Sequence, residues 1–376
     1  MDKKTTGYLT HLDFVRGLAS LSVFWIHFCG AYGSPIARAV HHTPFSFLVD
    51  GKAAIAMFLL LSGIGCSFRF FRDGLRPMDA FKAKTVLLFY LSRFLRLTPP
   101  LFFAIGISYV TYRLFYTKYD TSPQISACFF GWWKDGHTLS LTSWIKQSLL
   151  LFPQTKLVLV PQTWVLGIIA YLYIFFPLVI AIARFSTRLS LLLVGIPIVF
   201  FDTGAYFFGF LLGVLIVKHL QQIRSFFENA FWMVRLLILF AGLFLFNIFH
   251  PMMDIPVPLS PNWQWTIAAC GGALLVASFE GSQSVQRFFS FSAFRFLGKI
   301  SYSLYLTHLI VLLVFTQMYL RAINSINITG ATAYCSAFVV STALAILLAW
   351  LCWKISEKPS QDLGKRLTSF FRETRH

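Results

Sequence analysis

Ten stretches of this chain are apolar over about thirteen residues or more and carry few charges, at roughly 12–32, 46–68, 86–112, 164–183, 189–201, 204–217, 235–249, 265–280, 301–320 and 332–353. About 20 apolar residues carry a helix across the hydrocarbon of a bilayer, and fewer suffice where neighbours bury it. The chain is therefore expected to be an all-α, polytopic transmembrane helix bundle with about ten spans. The fifth and sixth stretches are short and separated only by Asp202, Thr203 and Gly204, which reads as a tight turn in a helical hairpin. Composition agrees: 57% of residues are hydrophobic, 12% are charged, and the mean hydropathy is +0.69. Such a chain is no soluble two-domain protein, disordered segment, coiled coil or disulfide scaffold. The cysteines form no C-x-x-C pair and five of them sit in apolar runs, so they read as small hydrophobes and no metal site is expected.

Lys and Arg number 32 against 14 Asp and Glu, a net charge of +18. No nucleic-acid module accompanies that excess, and a bilayer sorts such charge by side. Placing the N-terminus in the cytoplasm puts Lys and Arg inside over outside at about three to one, with both termini cytoplasmic. The expected organisation is a membrane domain over 1–356 and a basic cytoplasmic tail over 357–376. Lys3, Lys4, the apolar run from Leu18 to Phe28 and Ala37-Arg38-Ala39 imitate a cleavable leader. Arg16 and His27 argue for retention, since a discarded leader has no use for them. The longest segment between spans, 113–163, is expected outside; within it Ser143–Phe152 reads either as an interfacial amphipathic helix over the mouth of a cavity or as a packed loop.

Arg16 and His27 are eleven residues apart in the first apolar stretch, which on a helix is close to three whole turns. They share a face about 16 Å apart along the axis, Arg16 at the boundary and His27 well inside the hydrocarbon. An ionisable group at that depth is a functional candidate; a histidine merely bonded between helices is the alternative. Ser301, Tyr305 and His308 fall at i, i+4 and i+7, one stripe of the ninth stretch that would line a polar channel, with Tyr302 beside it. Ser62-Gly63 suits close helix approach better than a nucleophile, because no G-x-S-x-G elbow surrounds it.

Together these residues resemble the acyltransferase family 3 of membrane proteins, which O-acylate sugars of bacterial surface and secreted polysaccharides. The resemblance rests on Leu12-Asp13-Phe14-Val15-Arg16-Gly17 with His27, on Asp50-Gly51-Lys52 running into Met57–Gly63, and on Arg93-Phe94-Leu95-Arg96-Leu97-Thr98-Pro99. It continues through Leu297–His308 and Glu357-Lys358-Pro359, so the motifs span the chain in order. Trp164, Leu166 and Pro177 hold the register of a further motif whose acidic position is Ile169 here, and Lys354 stands where the family carries Arg.

The resemblance implies an acyl-coenzyme A donor, acetyl-coenzyme A in the simplest case, a polysaccharide or lipid-linked sugar acceptor, and a place in the bacterial inner membrane among lipid. His27 and Arg16 would be catalytic, His27 as general base or as first acceptor of the acyl group. Arg93, Arg96, Ser301, Tyr305, His308 and Glu357 would bind the donor. Arg93 and Arg96 share a face, and Pro99-Pro100 after them is expected to open the helix and free carbonyls. Arg69 fits the positive-inside rule as well as phosphate binding. A transporter or flippase of a polysaccharide precursor would share the polar interior and the basic inner face; dependence on coenzyme A separates the two. His41-His42, His250 with Asp254, and Asp202 are weaker signals.

Overall fold

The computed structural model describes residues 11–33, 35, 39–40, 43, 45–72, 81–115, 133, 141–150, 159–201, 203–248 and 260–373. Over their described residues all ten apolar stretches are largely helical. In chain order the elements are α1 (His11–Tyr32), a 3-10 turn (Ser46–Val49), α2 (Gly51–Arg72), α3 (Ala83–Phe115), α4 (Leu141–Ser148), α5 (Thr163–Phe185), α6 (Thr187–Phe200), α7 (Gly204–Lys218) and α8 (Leu220–Asn229). There follow α9 (Trp232–Asn247), α10 (Pro261–Glu280), α11 (Gln283–Phe289), α12 (Ser292–Ile310), α13 (Thr316–Asn324), α14 (Gly330–Cys352) and α15 (Lys358–Glu373). Two π-helical turns, Val311–Phe315 and Trp353–Glu357, join α12 to α13 and α14 to α15. Among the described residues there is no strand.

Among the described residues, six helical stretches are long and apolar enough to cross a bilayer: α1, α2 as far as Phe68, α3, α5, Ser292–Asn324 and Gly330–Ser369. A seventh results if α7 and α8, bent by 71° at His219, are one broken span. The expected ten also counts α6, α7, α9 and α10 singly. Of these α6 has 14 residues and α9 has 16, short of a full crossing by themselves. The expected hairpin is present as α6 and α7, and Asn262 donates to the carbonyl of Phe201 in the turn at 2.8 Å.

By contacts the chain divides into two compact units whose segments alternate along the sequence. The first comprises Met1–Ser22, Val40–Val86 and Leu172–Lys299. Lipid tails are as apolar as leucine, so helices associate there through close packing and hydrogen bonds, which favours small residues. Gly63 of α2 and Gly213 of α7 bring the two backbones together: a methyl at Gly63 would run into the Phe210 carbonyl, and one at Gly213 into that of Leu60. Ser62-Gly63 thus serves helix approach. Gly271 and Gly242 join α10 to α9 in the same manner, and Ala56, Ala268 and Ala269 continue the small-residue core. Asp50 caps α2, its Oδ1 accepting from the backbone N–H of Lys52 at 2.8 Å and of Ala53 at 3.1 Å. Buried Glu280 takes a hydrogen bond from Nε2 of His11 at 2.6 Å and two from Arg224, at 2.6 and 3.1 Å.

The second unit comprises Val23–Ala39, Leu87–Tyr171 and Ile300–His376. Phe28 packs on Phe24, Tyr32, Tyr334 and Phe338, joining the end of α1 to α14. The segment read as an interfacial helix or a packed loop is helical as α4 through Ser148, and it docks on α3 by Trp144, stacked on Phe102 at 5.0 Å over Gly106. Its Leu151 and Phe152 lie outside the described residues.

Contrary to the expectation at Pro99-Pro100, α3 runs unbroken through both prolines. Pro99 lacks the N–H that would bond the carbonyl of Leu95 four residues back. The hydroxyl of Ser360 in α15 donates to that oxygen instead, and Tyr302 donates to Leu97 O at 2.8 Å. The freed carbonyl at Leu95 is therefore used to bind helices together, and the helix has no reason to open. Residues 358–373 of the expected tail form α15, anchored to this unit by Ser360.

Candidate active site

The second unit brings together His27, Tyr305 and His308. His27 lies near the end of α1, half-buried; His308 lies in the last turn of α12 with no exposed surface. Nδ1 of His27 and Nε2 of His308 are 2.8 Å apart, with the rings stacked at 5.1 Å. Two imidazoles meeting nitrogen to nitrogen share one proton, so one must donate. The surroundings of His308 decide which. Its Nδ1 is 2.8 Å from Tyr305 O and 3.3 Å from Leu304 O. A carbonyl only accepts, so the proton of neutral His308 sits on Nδ1 and its Nε2 offers a lone pair. His27 then donates from Nδ1, which makes Nε2 its basic nitrogen. One histidine thus fixes the tautomer of the other through a helix carbonyl.

A residue without a role in the sequence reading completes this arrangement. Gln162 precedes α5, and its Nε2 donates to Tyr305 O and Leu306 O, both at 3.0 Å, while the Tyr305 hydroxyl donates back to Gln162 O at 2.8 Å. Tyr305 O therefore receives both Gln162 and His308. The only advance signal was a polar side chain two residues before Trp164 in an apolar context.

Ser301, Tyr305 and His308 are all buried, so the expected stripe faces the interior of the unit. Ser303, beside it, donates its hydroxyl and its N–H to Oε2 of Glu357 at 2.6 and 3.2 Å, and Gln361 donates to Oε1 at 2.9 Å. Glu357 thus clasps α12 to the π-turn after α14. Arg93 and Arg96 lie half-buried on α3, the Arg93 guanidinium 5.4 Å from the centre of the Phe89 ring. The turn that carries Arg96 is tied to Tyr302, six residues before His308, which is roughly 9 Å along α12 from the histidine pair.

Arg16 belongs to the first unit, where its guanidinium donates to Asp13 at 3.0 Å and is 17% exposed. It lies on α1 with His27, at the expected eleven-residue spacing. Ile169 is buried in α5, so an apolar side chain fills the position at which the related motif is acidic. The side chain of Arg69 and residues His41, His42, Asp202, His250 and Asp254 lie outside the described residues.

A family model described as an acyltransferase domain matches residues 9–350. The chain belongs to acyltransferase family 3. No curated protein and no solved structure matches it. With its long apolar helices, it is a multi-pass membrane acyltransferase.

Proposed function

We propose that this protein moves an acyl group, acetyl in the simplest case, from cytoplasmic acyl-coenzyme A to a hydroxyl of a surface polysaccharide or lipid-linked sugar, in a bacterial inner membrane with both termini inside. The observation that carries this reading is the histidine pair: His308 holds the proton of His27 on Nδ1 and leaves Nε2 as the base.

In the proposed step, His27 Nε2 removes the proton of the acceptor hydroxyl as its oxygen attacks the thioester carbonyl. The C–S bond breaks, and the coenzyme A sulfur leaves as thiolate and takes up the proton held by His27. An O-ester and a free thiol result. Arg93 and Arg96, near the opposite end of the α12 stripe, supply the charge that a donor's phosphates need, and Arg gives paired contacts to phosphate. Ser301, Tyr305, His308 and Glu357 are assigned to the donor as well. Arg16, ion-paired with Asp13 in the first unit, is assigned to phosphate on its place in the sequence motif alone.

Calorimetry of coenzyme A binding tests these assignments. Arg16→Ala should weaken binding about tenfold or more, the cost of one charge-assisted hydrogen bond, while His27→Ala should leave it unchanged. Equal affinities in the two variants would remove Arg16 from the donor site.

A further inference from the structure

Gln162 offers a second functional atom at the histidine pair. Its carboxamide orientation is settled by its partners, because Tyr305 O and Leu306 O only accept and so face the Nε2 donor. The oxygen of the same carboxamide, Oε1, is buried and accepts no hydrogen bond among the described residues, on a side chain whose residue is 4% exposed. A buried acceptor left unmatched is costly, and a complementary donor group is what it would bind. Its location is set by Tyr305 O, which takes Gln162 Nε2 at 3.0 Å and His308 Nδ1 at 2.8 Å. The acceptor thus lies by the Nδ1 edge of His308, the ring edge opposite the one that meets His27.

We propose that Gln162 Oε1 accepts a hydrogen bond from the amide N–H nearest the sulfur of the acyl-coenzyme A arm, and so sets the thioester carbonyl against His27. The inference rests on the reading of this site as the acyl-transfer centre. A neutral oxygen suits a neutral donor better than a phosphate or a cation, and that amide stands only two methylene groups from the reacting sulfur. Gln162 is then a binding residue with two duties: Nε2 secures the carbonyls that orient His308, and Oε1 receives the donor.

The test crosses the protein with the ligand. Binding of acetyl-coenzyme A and of its analogue with that amide replaced by an ester is measured by calorimetry on purified wild type, Gln162→Leu and Gln162→Lys. Lys retains donors for Tyr305 O and Leu306 O but has no acceptor, so it separates the strut from the binding role; thermal unfolding verifies that each variant is folded. Wild type should prefer the amide by about tenfold, the worth of one well-made hydrogen bond, and both variants should lose the preference. The same preference in all three proteins would overturn the proposal while leaving acyl transfer intact. Unchanged donor binding in both variants with weakened transfer to the sugar would overturn it too, by assigning Oε1 to the acceptor. Failure of either ligand to bind wild type would overturn the donor reading and this inference together.

Discussion

Replacing His308 isolates what the histidine pair contributes. In His308→Leu the Nδ1–H of His27 loses the acceptor 2.8 Å away, and Tyr305 O loses one donor but keeps Gln162. Losing that hydrogen bond in a part-buried site costs about 1 kcal/mol, so unfolding should move to lower temperature without loss of the fold. The catalytic effect should be larger. Without Nε2 of His308, His27 no longer holds its proton on Nδ1, and loss of a tautomer-fixing partner in a comparable triad costs about 10⁴ in kcat. A fall in kcat of about 10² or more is expected. His308→Gln restores a carboxamide oxygen as acceptor and should recover about tenfold over the Leu variant. The assay is release of free coenzyme A thiol in the presence of acceptor. A folded His308→Leu protein with wild-type kcat would refute the tautomer relay.

Glu280→Gln leaves His11 and Arg224 without their shared carboxylate and should destabilise the first unit by about 3 kcal/mol, seen as a lower unfolding midpoint in detergent; an unchanged midpoint would show that this cluster contributes nothing. Asp50→Ala should cost about 1 kcal/mol through loss of the α2 cap, and Asp50→Asn, which can still accept from Lys52 and Ala53, should recover most of it. Gly213→Ala should lower the yield of folded protein, because its methyl meets the Leu60 backbone. Gly65→Ala in α2, with open space around it, should be neutral or stabilising, and similar losses in both would argue against backbone contact as the reason.

Helix positions were legible in the sequence because each apolar run had to satisfy its own backbone, which only a helix does within one segment. The number of crossings was not, since composition does not separate a full span from a short helix such as α6 or α9. His27 stood out by depth and His308 by the stripe with Ser301 and Tyr305, yet their meeting depends on packing between helices 281 residues apart in sequence. Gln162 gave only a faint signal for the same reason: its partners are in α12. At Pro99 the sequence showed correctly that a carbonyl is released but not that Ser360, far along the chain, takes it up.

The most direct test is transfer of label itself. Purified wild type and His27→Ala, reconstituted in vesicles with lipid-linked glycan extracted from the source cells, are supplied with acetyl-coenzyme A radiolabelled in the acetyl group. The expected result is label in the glycan, released by mild alkali as an O-ester should be, one free thiol for each acetyl moved, and neither with His27→Ala. Glycan crossing the vesicle membrane in wild type without label, thiol or any dependence on acetyl-coenzyme A would contradict acyl transfer and establish a flippase instead.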